Sequence, residues 1–105
     1  MTSGAGHGDA PWLILPTLNE ALNLAALATR ARQCADRLHI LIVDDASTDG
    51  TAAVADELAR ADPHVRVLHR QGPRGYGNAL TEGFRAALAA GFISHTVLDY
   101  KKLGL

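Results

Sequence analysis

The sequence predicts an α/β domain built on a parallel sheet, and three observations predict it. First, Ile40-Leu41-Ile42-Val43 is an unbroken apolar run rich in β-branched side chains, the kind of segment buried on both faces of a parallel sheet. Second, short apolar runs alternate with stretches of helical periodicity. This βαβαβαβ pattern puts helices on the sheet faces and makes each crossover right-handed. Third, Asp44 and Asp45 follow the central run at once, and open α/β sheets bind ligands outside the carboxyl ends of their strands. One acid at such a point reads as a turn or cap residue. Two side by side repel each other, so a purely structural reading is less comfortable.

In chain order, Met1 to Ala10 are small, polar and glycine-rich, so residues 1–11 are expected to form a flexible tail rather than a signal peptide. Trp12-Leu13-Ile14-Leu15 reads as the first strand, ended by Pro16, which cannot donate to a ladder. Thr17-Leu18-Asn19-Glu20 is expected to open a helix, with Asn19 as N-cap and Glu20 at the positive helix terminus. Leu24, Leu27, Ala28 and Ala31 fall on one face of it, and the pattern fades between Cys34 and Arg37. Ile40 to Val43 is the second strand. Ala46-Ser47-Thr48-Asp49-Gly50 is a turn that can cap the next helix, which runs to about Ala61 with Thr51, Val54, Ala55, Leu58 and Ala61 on one face. Asp62-Pro63 stops it.

Val65-Arg66-Val67-Leu68 is the third strand, and Gln71 to Asn78 is a glycine-rich loop. The third helix is expected from about Asn78 to Ala90, with Leu80, Phe84, Ala87 and Leu88 inward and Gly91 as its C-terminal cap. Thr96-Val97-Leu98 reads as a fourth strand that delivers Asp99 to its end. A spatial order of 3-2-1-4 would bring Pro16–Glu20, Asp44–Asp45 and Asp99 to one edge of the sheet.

The bulk composition narrows the function classes. A chain of 105 residues, 48% hydrophobic and 20% charged, fits one small globular domain. Ten Lys+Arg oppose eleven Asp+Glu for a net charge of −1, and the basic residues are scattered, which argues against a nucleic-acid partner. A lone cysteine, Cys34, excludes an internal disulfide and reads as a small buried hydrophobe. No apolar run approaches the length of a membrane span, so a cytoplasmic location is the default expectation. His7, His39, His64, His69 and His95 show no metal-ligand spacing and are expected at the surface or at strand edges. Gly75-Tyr76-Gly77 lacks the third glycine of a dinucleotide fingerprint and follows the third strand instead of the first.

Three motifs carry a resemblance. Pro16-Thr17-Leu18-Asn19-Glu20, Val43 to Thr51 (Val-Asp-Asp-Ala-Ser-Thr-Asp-Gly-Thr) and Arg74-Gly75-Tyr76-Gly77-Asn78-Ala79 resemble, in order and spacing, the family 2 glycosyltransferases. Within that family the chain looks most like the dolichol-phosphate or polyprenyl-phosphate mannose synthase group. The resemblance implies that residues 12–105 belong to the N-terminal, nucleotide-sugar-binding half of the fold called GT-A, a Rossmann-like sheet with helices on both faces. It implies a glycosyltransferase that moves a sugar, mannose above all, from GDP-mannose or a UDP-sugar to a polyprenyl or dolichyl phosphate, with Mg²⁺ or Mn²⁺ as cofactor.

By the same resemblance, Pro16, Leu18 and Glu20 line the base and ribose pocket. An aromatic Tyr is usual at the Leu18 position, so base stacking is reduced to an apolar contact. Val43 and Asp45 contact the base, Asp45 accepting from a ring N–H, and Asp44 is a structural neighbour. Arg74 approaches the nucleotide or its pyrophosphate. Asp99 matches the first carboxylate of the metal-binding Asp-x-Asp motif, but Lys101 stands at the second. The family's acceptor site and general base are expected beyond Leu105. The resemblance therefore implies a truncated domain that holds the donor half, has no catalytic residue of its own and is inactive alone. The complete enzyme would lie at the cytoplasmic membrane face. A non-catalytic nucleotide-binding module or pseudoenzyme, and a fragment that does not fold, are the alternatives left open.

Overall fold

The computed structural model describes residues 12–34 and 37–89. Six elements alternate: β1 (Trp12–Thr17), α1 (Leu24–Cys34), β2 (His39–Asp44), α2 (Thr51–Ala61), β3 (Val65–His69) and α3 (Tyr76–Ala89). All strand pairs are parallel, in the order β1-β2-β3. This is the 3-2-1 part of the expected order. The expected fourth strand at Thr96–Leu98, its Asp99 and Lys101, the cap at Gly91 and the N-terminal tail lie outside the described residues.

Period-2 alternation splits the sheet into two apolar faces. Leu13, Leu15, Ile40, Ile42 and Val65 pack with Leu24, Ala28 and Ala31 of α1 and Ala55 of α2. Trp12, Ile14, Leu41 and Val43 pack with Ala79 and Ala87 of α3 on the other side. Two right-handed crossovers in the same direction put α1 and α2 on one face, and α3 crosses back over β1 and β2 on the opposite face. Beside α3, the outer part of β3 is left open as a cleft of about 520 Å³ between Leu68, Arg70, Glu82 and Ala86.

β1 does not stop at Pro16. It continues to Thr17, with Pro16 opposite Val43 and Thr17 opposite Asp44. The Thr17 carbonyl accepts the Asp45 N–H at 2.9 Å, so Thr17 is the residue that faces β2. Neighbouring residues of a strand bond to opposite sides, so the donor that Pro16 lacks would point away from β2, where the ladder does not need it.

The first helix also starts later than expected. α1 begins at Leu24 after a turn over 21–23, and Asn19 is not its N-cap. Asn19 takes a left-handed conformation, φ 55°, which Asn tolerates better than most residues. Tertiary hydrogen bonds, described below, claim the N–H groups that a helix start would have used. Leu24, Leu27, Ala28 and Ala31 form the buried face as the periodicity predicts. On α2, Thr51 and Ala55 are buried while Ala61, expected on the same face, is exposed.

α3 begins at Tyr76, two residues early, and it is rotated from the expected face. Ala79, Gly83 and Ala87 point inward, whereas Phe84 and Leu88 are 42% and 47% exposed. Gly83 explains the rotation. A Cβ at this position would lie 2.6 Å from Ile14 Cγ2 and 2.9 Å from Val43 Cγ2. The helix backbone lies directly on the sheet through a strip of small residues; Ala87 is buried as expected and Leu80 packs against this core while only partly buried, but Phe84 and Leu88 are left outside. Periodicity alone favoured the larger apolar side chains; close approach selected the smaller ones.

At the other end of the strands, Trp12 is buried and stacks on the His39 ring at 5.0 Å and 11°. The Arg66 guanidinium lies 5.7 Å from the centroid of the Trp12 ring. Arg32 of α1 donates to Asp62 at 2.8 Å and to the Leu38 carbonyl at 3.1 Å, which ties the two connections at this end together.

Gly83→Ala tests the close approach. Ile14 and Val43 are stiff at χ1 and fully buried, so neither can move aside. Overpacking of this kind costs about 1–3 kcal/mol, against about 1 kcal/mol gained in helix propensity, so a net loss is expected. A higher denaturation midpoint for the variant than for wild type would overturn the packing account.

Candidate functional site

The carboxyl ends of the strands hold most of the chain's polar chemistry. The two adjacent acids are resolved by a matching pair of bases one strand over. Asp44 lies opposite His69 in the β2–β3 register, and Arg70 follows, its N–H donating to the Asp44 carbonyl at 2.8 Å. Successive side chains leave a strand on opposite faces, so each acid meets its own partner. His69 Nδ1 is 3.5 Å from Asp44 Oδ2. Arg70 Nη1 donates to Asp45 Oδ1.

Arg70 is the most heavily used side chain of the site. It is buried, and its fork donates to Asp45, to Glu82 of α3 at 2.5 Å and to the Pro73 carbonyl at 3.0 Å. The Glu82 contact first, and the Asp45 charge with it, push the guanidinium above its ordinary range and keep it charged. The second oxygen of Asp45 accepts the Gly75 N–H at 2.8 Å. Gly75, at φ 156°, gives the loop the turn that aims this N–H back at β2. Asp45 thus ties the end of β2 to the glycine-rich loop and, through Arg70, to α3. One lone pair on each of its oxygens remains for another donor.

The β1–α1 and β2–α2 loops interlock through side chains. Three consecutive backbone donors, Asn19, Glu20 and Ala21, give to Ser47 Oγ at 2.9 Å, Thr51 Oγ1 at 2.9 Å and Asp49 Oδ2 at 3.2 Å. In return Asn19 Oδ1 accepts the Thr48 N–H at 2.9 Å. Thr51 Oγ1 donates to Asp49 Oδ1, which also accepts the Thr51 N–H at 3.0 Å and so satisfies the start of α2. Thr51's hydroxyl bond to Asp49 is the first cause holding the Asp49 carboxyl below its ordinary 3.8. Ala46 sits between the acids and this lock at φ 59°, a conformation that costs a non-glycine residue about 1 kcal/mol.

The residues expected from the motifs are spread over these elements. Pro16 and Val43 are paired and buried, with the Val43 side chain sealed under α3. Leu18 is 41% exposed on the β1–α1 loop and Glu20 is half-buried beside it. Arg74 is exposed and donates to the Ala46 carbonyl at 2.5 Å, so it and Asp45 bracket Ala46. Asp99, the expected metal ligand, lies outside the described residues. Among the described residues no group of three or more His, Cys, Asp or Glu side chains is arranged to hold a metal ion. Asp44 and Asp45 do not fit a cation, since each already faces a basic side chain. His69, Arg70 and Glu82 carry much of the geometry without standing out in any motif. A signal for the first two did exist: two acids after a buried strand need counter-charges, and a 3-2-1 order puts the end of the third strand beside them.

A model of glycosyl transferase family 2 matches residues 12–93. The chain belongs to that family. A polyprenol monophosphomannose synthase of Mycolicibacterium smegmatis is 47% identical over 81 residues, covering 76% of this chain and 31% of the relative. An undecaprenyl-phosphate mannosyltransferase of Micrococcus luteus is 44% identical over 79 residues, covering 75% and 32%. The chain thus spans about a third of the length of these family 2 relatives. Among solved structures, a Pyrobaculum calidifontis mannosyltransferase in complex with GDP-Man and Mn²⁺ superposes with a TM-score of 0.65 at 28% identity, over 77% of this chain and 26% of that one. The parallel sheet is accordingly the GT-A fold expected from the motifs, for the part that the described residues cover. Also among the described residues, no helix is long and apolar enough to cross a membrane.

Asp49→Asn is expected to lower the thermal midpoint at neutral pH by weakening the lock between the loops. The carboxyl is held below 3.8 in the fold, so its stabilisation is present above that value and is lost as pH falls through the lowered value. Melts of both proteins across the acid range should therefore converge at low pH. A gap that stays constant would refute the assignment. A second comparison isolates the buried pair. Arg70→Met leaves Asp45 buried beside an apolar group and should destabilise strongly, while Arg70→Met with Asp45→Leu should recover part of the loss. A strictly additive double variant would show that the two side chains are not coupled.

Proposed function

We propose that this edge binds the nucleoside-diphosphate end of a sugar nucleotide for a glycosyltransferase of the polyprenyl-phosphate mannose synthase kind. The donor would be GDP-mannose or a UDP-sugar, and the acceptor a polyprenyl phosphate. The observation that carries the reading is the superposition with the Pyrobaculum enzyme, whose structure holds GDP-Man. The names of the two bacterial relatives, both acting on polyprenyl-type phosphates, support the acceptor class.

In this reading Leu18 and Glu20 offer an apolar surface and a carboxylate from the β1–α1 loop. Pro16 and Val43 form the buried floor behind them. Asp45 uses its remaining lone pairs on a ring N–H of the base, oriented beforehand by Arg70 and the Gly75 N–H. Arg74, close to Ala46, turns to the diphosphate. Asp99 is the proposed ligand for Mg²⁺ or Mn²⁺, a metal that would offset charge on the leaving diphosphate, and no role among the described residues depends on it. The transfer itself needs a base to deprotonate the acceptor phosphate as it attacks the anomeric carbon, and none of the residues named here is assigned that task.

Calorimetry with GDP, UDP and GDP-mannose tests the reading. Asp45→Asn keeps the shape of the site and a contact to Arg70 but loses the charge. It should weaken nucleotide binding by about 1.5–3 kcal/mol, the range for a hydrogen bond to a charged group. Leu18→Tyr should tighten it by about 0.5–1.5 kcal/mol through stacking on the base. Equal affinities in wild type and Asp45→Asn would remove Asp45 from the site, and the absence of binding by any nucleotide would remove the function.

A further inference from the structure

We propose that His69 is a positioning residue for the nucleotide edge, acting as a proton-dependent clamp on the β2–α2 loop. The inference rests on the donor-site reading above. His69 closes β3, half exposed, between two carboxylates from different elements. Nε2 lies 2.8 Å from Asp56 Oδ1 of α2, and Nδ1 lies 3.5 Å from Asp44 Oδ2 at the end of β2. These two groups, Asp56 first and then Asp44, raise the ring above its ordinary 6.5 against the opposing effect of burial. The adjacent Arg70 is turned away to Asp45 and Glu82.

An imidazolium donates from both nitrogens, whereas the neutral ring has one donor and one acceptor. The two contacts are unequal. The shorter bond to Asp56 keeps the remaining proton, so the neutral ring presents a lone pair to Asp44. Asp44 is the more costly of the two to abandon. Its side chain is only 5% exposed, against 52% for Asp56, and its other oxygen accepts the Ser47 N–H at 3.3 Å. Ser47 in turn accepts the Asn19 N–H. Loss of the proton on His69 therefore loosens a path from Asp44 through Ser47 to Asn19, between the two loops that carry Leu18, Glu20 and Asp45. Since the folded ring titrates above 6.5, the clamp is complete below that value and opens as pH rises through the raised one.

GDP affinity, followed by calorimetry on the 105-residue chain from about pH 6 to about pH 9, supplies one readout. Amide-exchange protection factors at Asn19 and Ser47, with the His69 ring protons followed by NMR, supply a second that needs no nucleotide. In wild type, affinity should fall severalfold with rising pH, and both amides should lose protection with the midpoint of the His69 titration. His69→Gln should show neither change. Asp56→Asn, an exposed substitution that leaves the ring in place, should move both transitions to lower pH. A His69→Gln profile that matches wild type, or amides that stay protected while His69 titrates, would overturn the clamp. If GDP binds at no pH, the donor-site reading falls, and the exchange data alone decide whether the clamp exists.

Discussion

Two negative charges on neighbouring residues, at the end of a buried strand, are the constraint that organises this molecule. Neither Asp44 nor Asp45 can escape into water, since both are nearly buried. The fold answers with two neighbouring bases, the last residue of the next strand and the one after it, and the alternation of successive side chains delivers one to each face. The pairing has consequences well beyond charge balance. Arg70 can meet Asp45 only if β3 lies against β2 in the observed register. It can meet Glu82 only if α3 lies on the side of the sheet where Gly83 allows close contact. Sheet order, register and the position of the last helix are all tied to one buried guanidinium.

The family motifs acquire a different meaning in this setting. Asn19, Ser47, Asp49 and Thr51 belong to the segments that carry the family resemblance. Here they mainly hold one loop against another, with side chains of the second loop standing in for the turn of helix that the first loop forgoes. A motif of this type is largely a folding device. It presents a small number of groups, chiefly Leu18, Glu20 and the unused lone pairs of Asp45, at fixed positions. Preorganisation at an edge made of loops depends on such cross-bracing, because loops have no ladder of their own.

Much of this was legible in the sequence, and the failures are instructive. The parallel α/β core was readable because buried strands and amphipathic helices write their periods directly into the order of residues. The edge position of Asp44–Asp45 followed from topology. The start of α1 was misread because local capping preference at Asn19 was overridden by acceptors some thirty residues away, which no local rule sees. The face of α3 was misread at Phe84 and Leu88, though not at Leu80 and Ala87, because periodicity ranks positions by hydrophobicity, whereas contact with the sheet selected by size. Pro16 was taken for a terminator because the side of the strand on which its missing donor falls is a tertiary fact. Arg70 was passed over because it belongs to no motif, although the charge it must balance was in plain view.

The tryptophan at the far end of β1 turns the molecule into its own reporter. Trp12 is the sole indole of the chain, is sealed from water, and lies against the His39 ring with a guanidinium nearby. A six-residue strand separates it from the loops at the carboxyl edge by about 17 Å. Its emission should accordingly be that of a shielded indole, dimmed by its stacked neighbour and indifferent to events at the loops, and it should change when the sheet itself comes apart. Light from one residue can thus distinguish a loop that has come loose from a core that has melted.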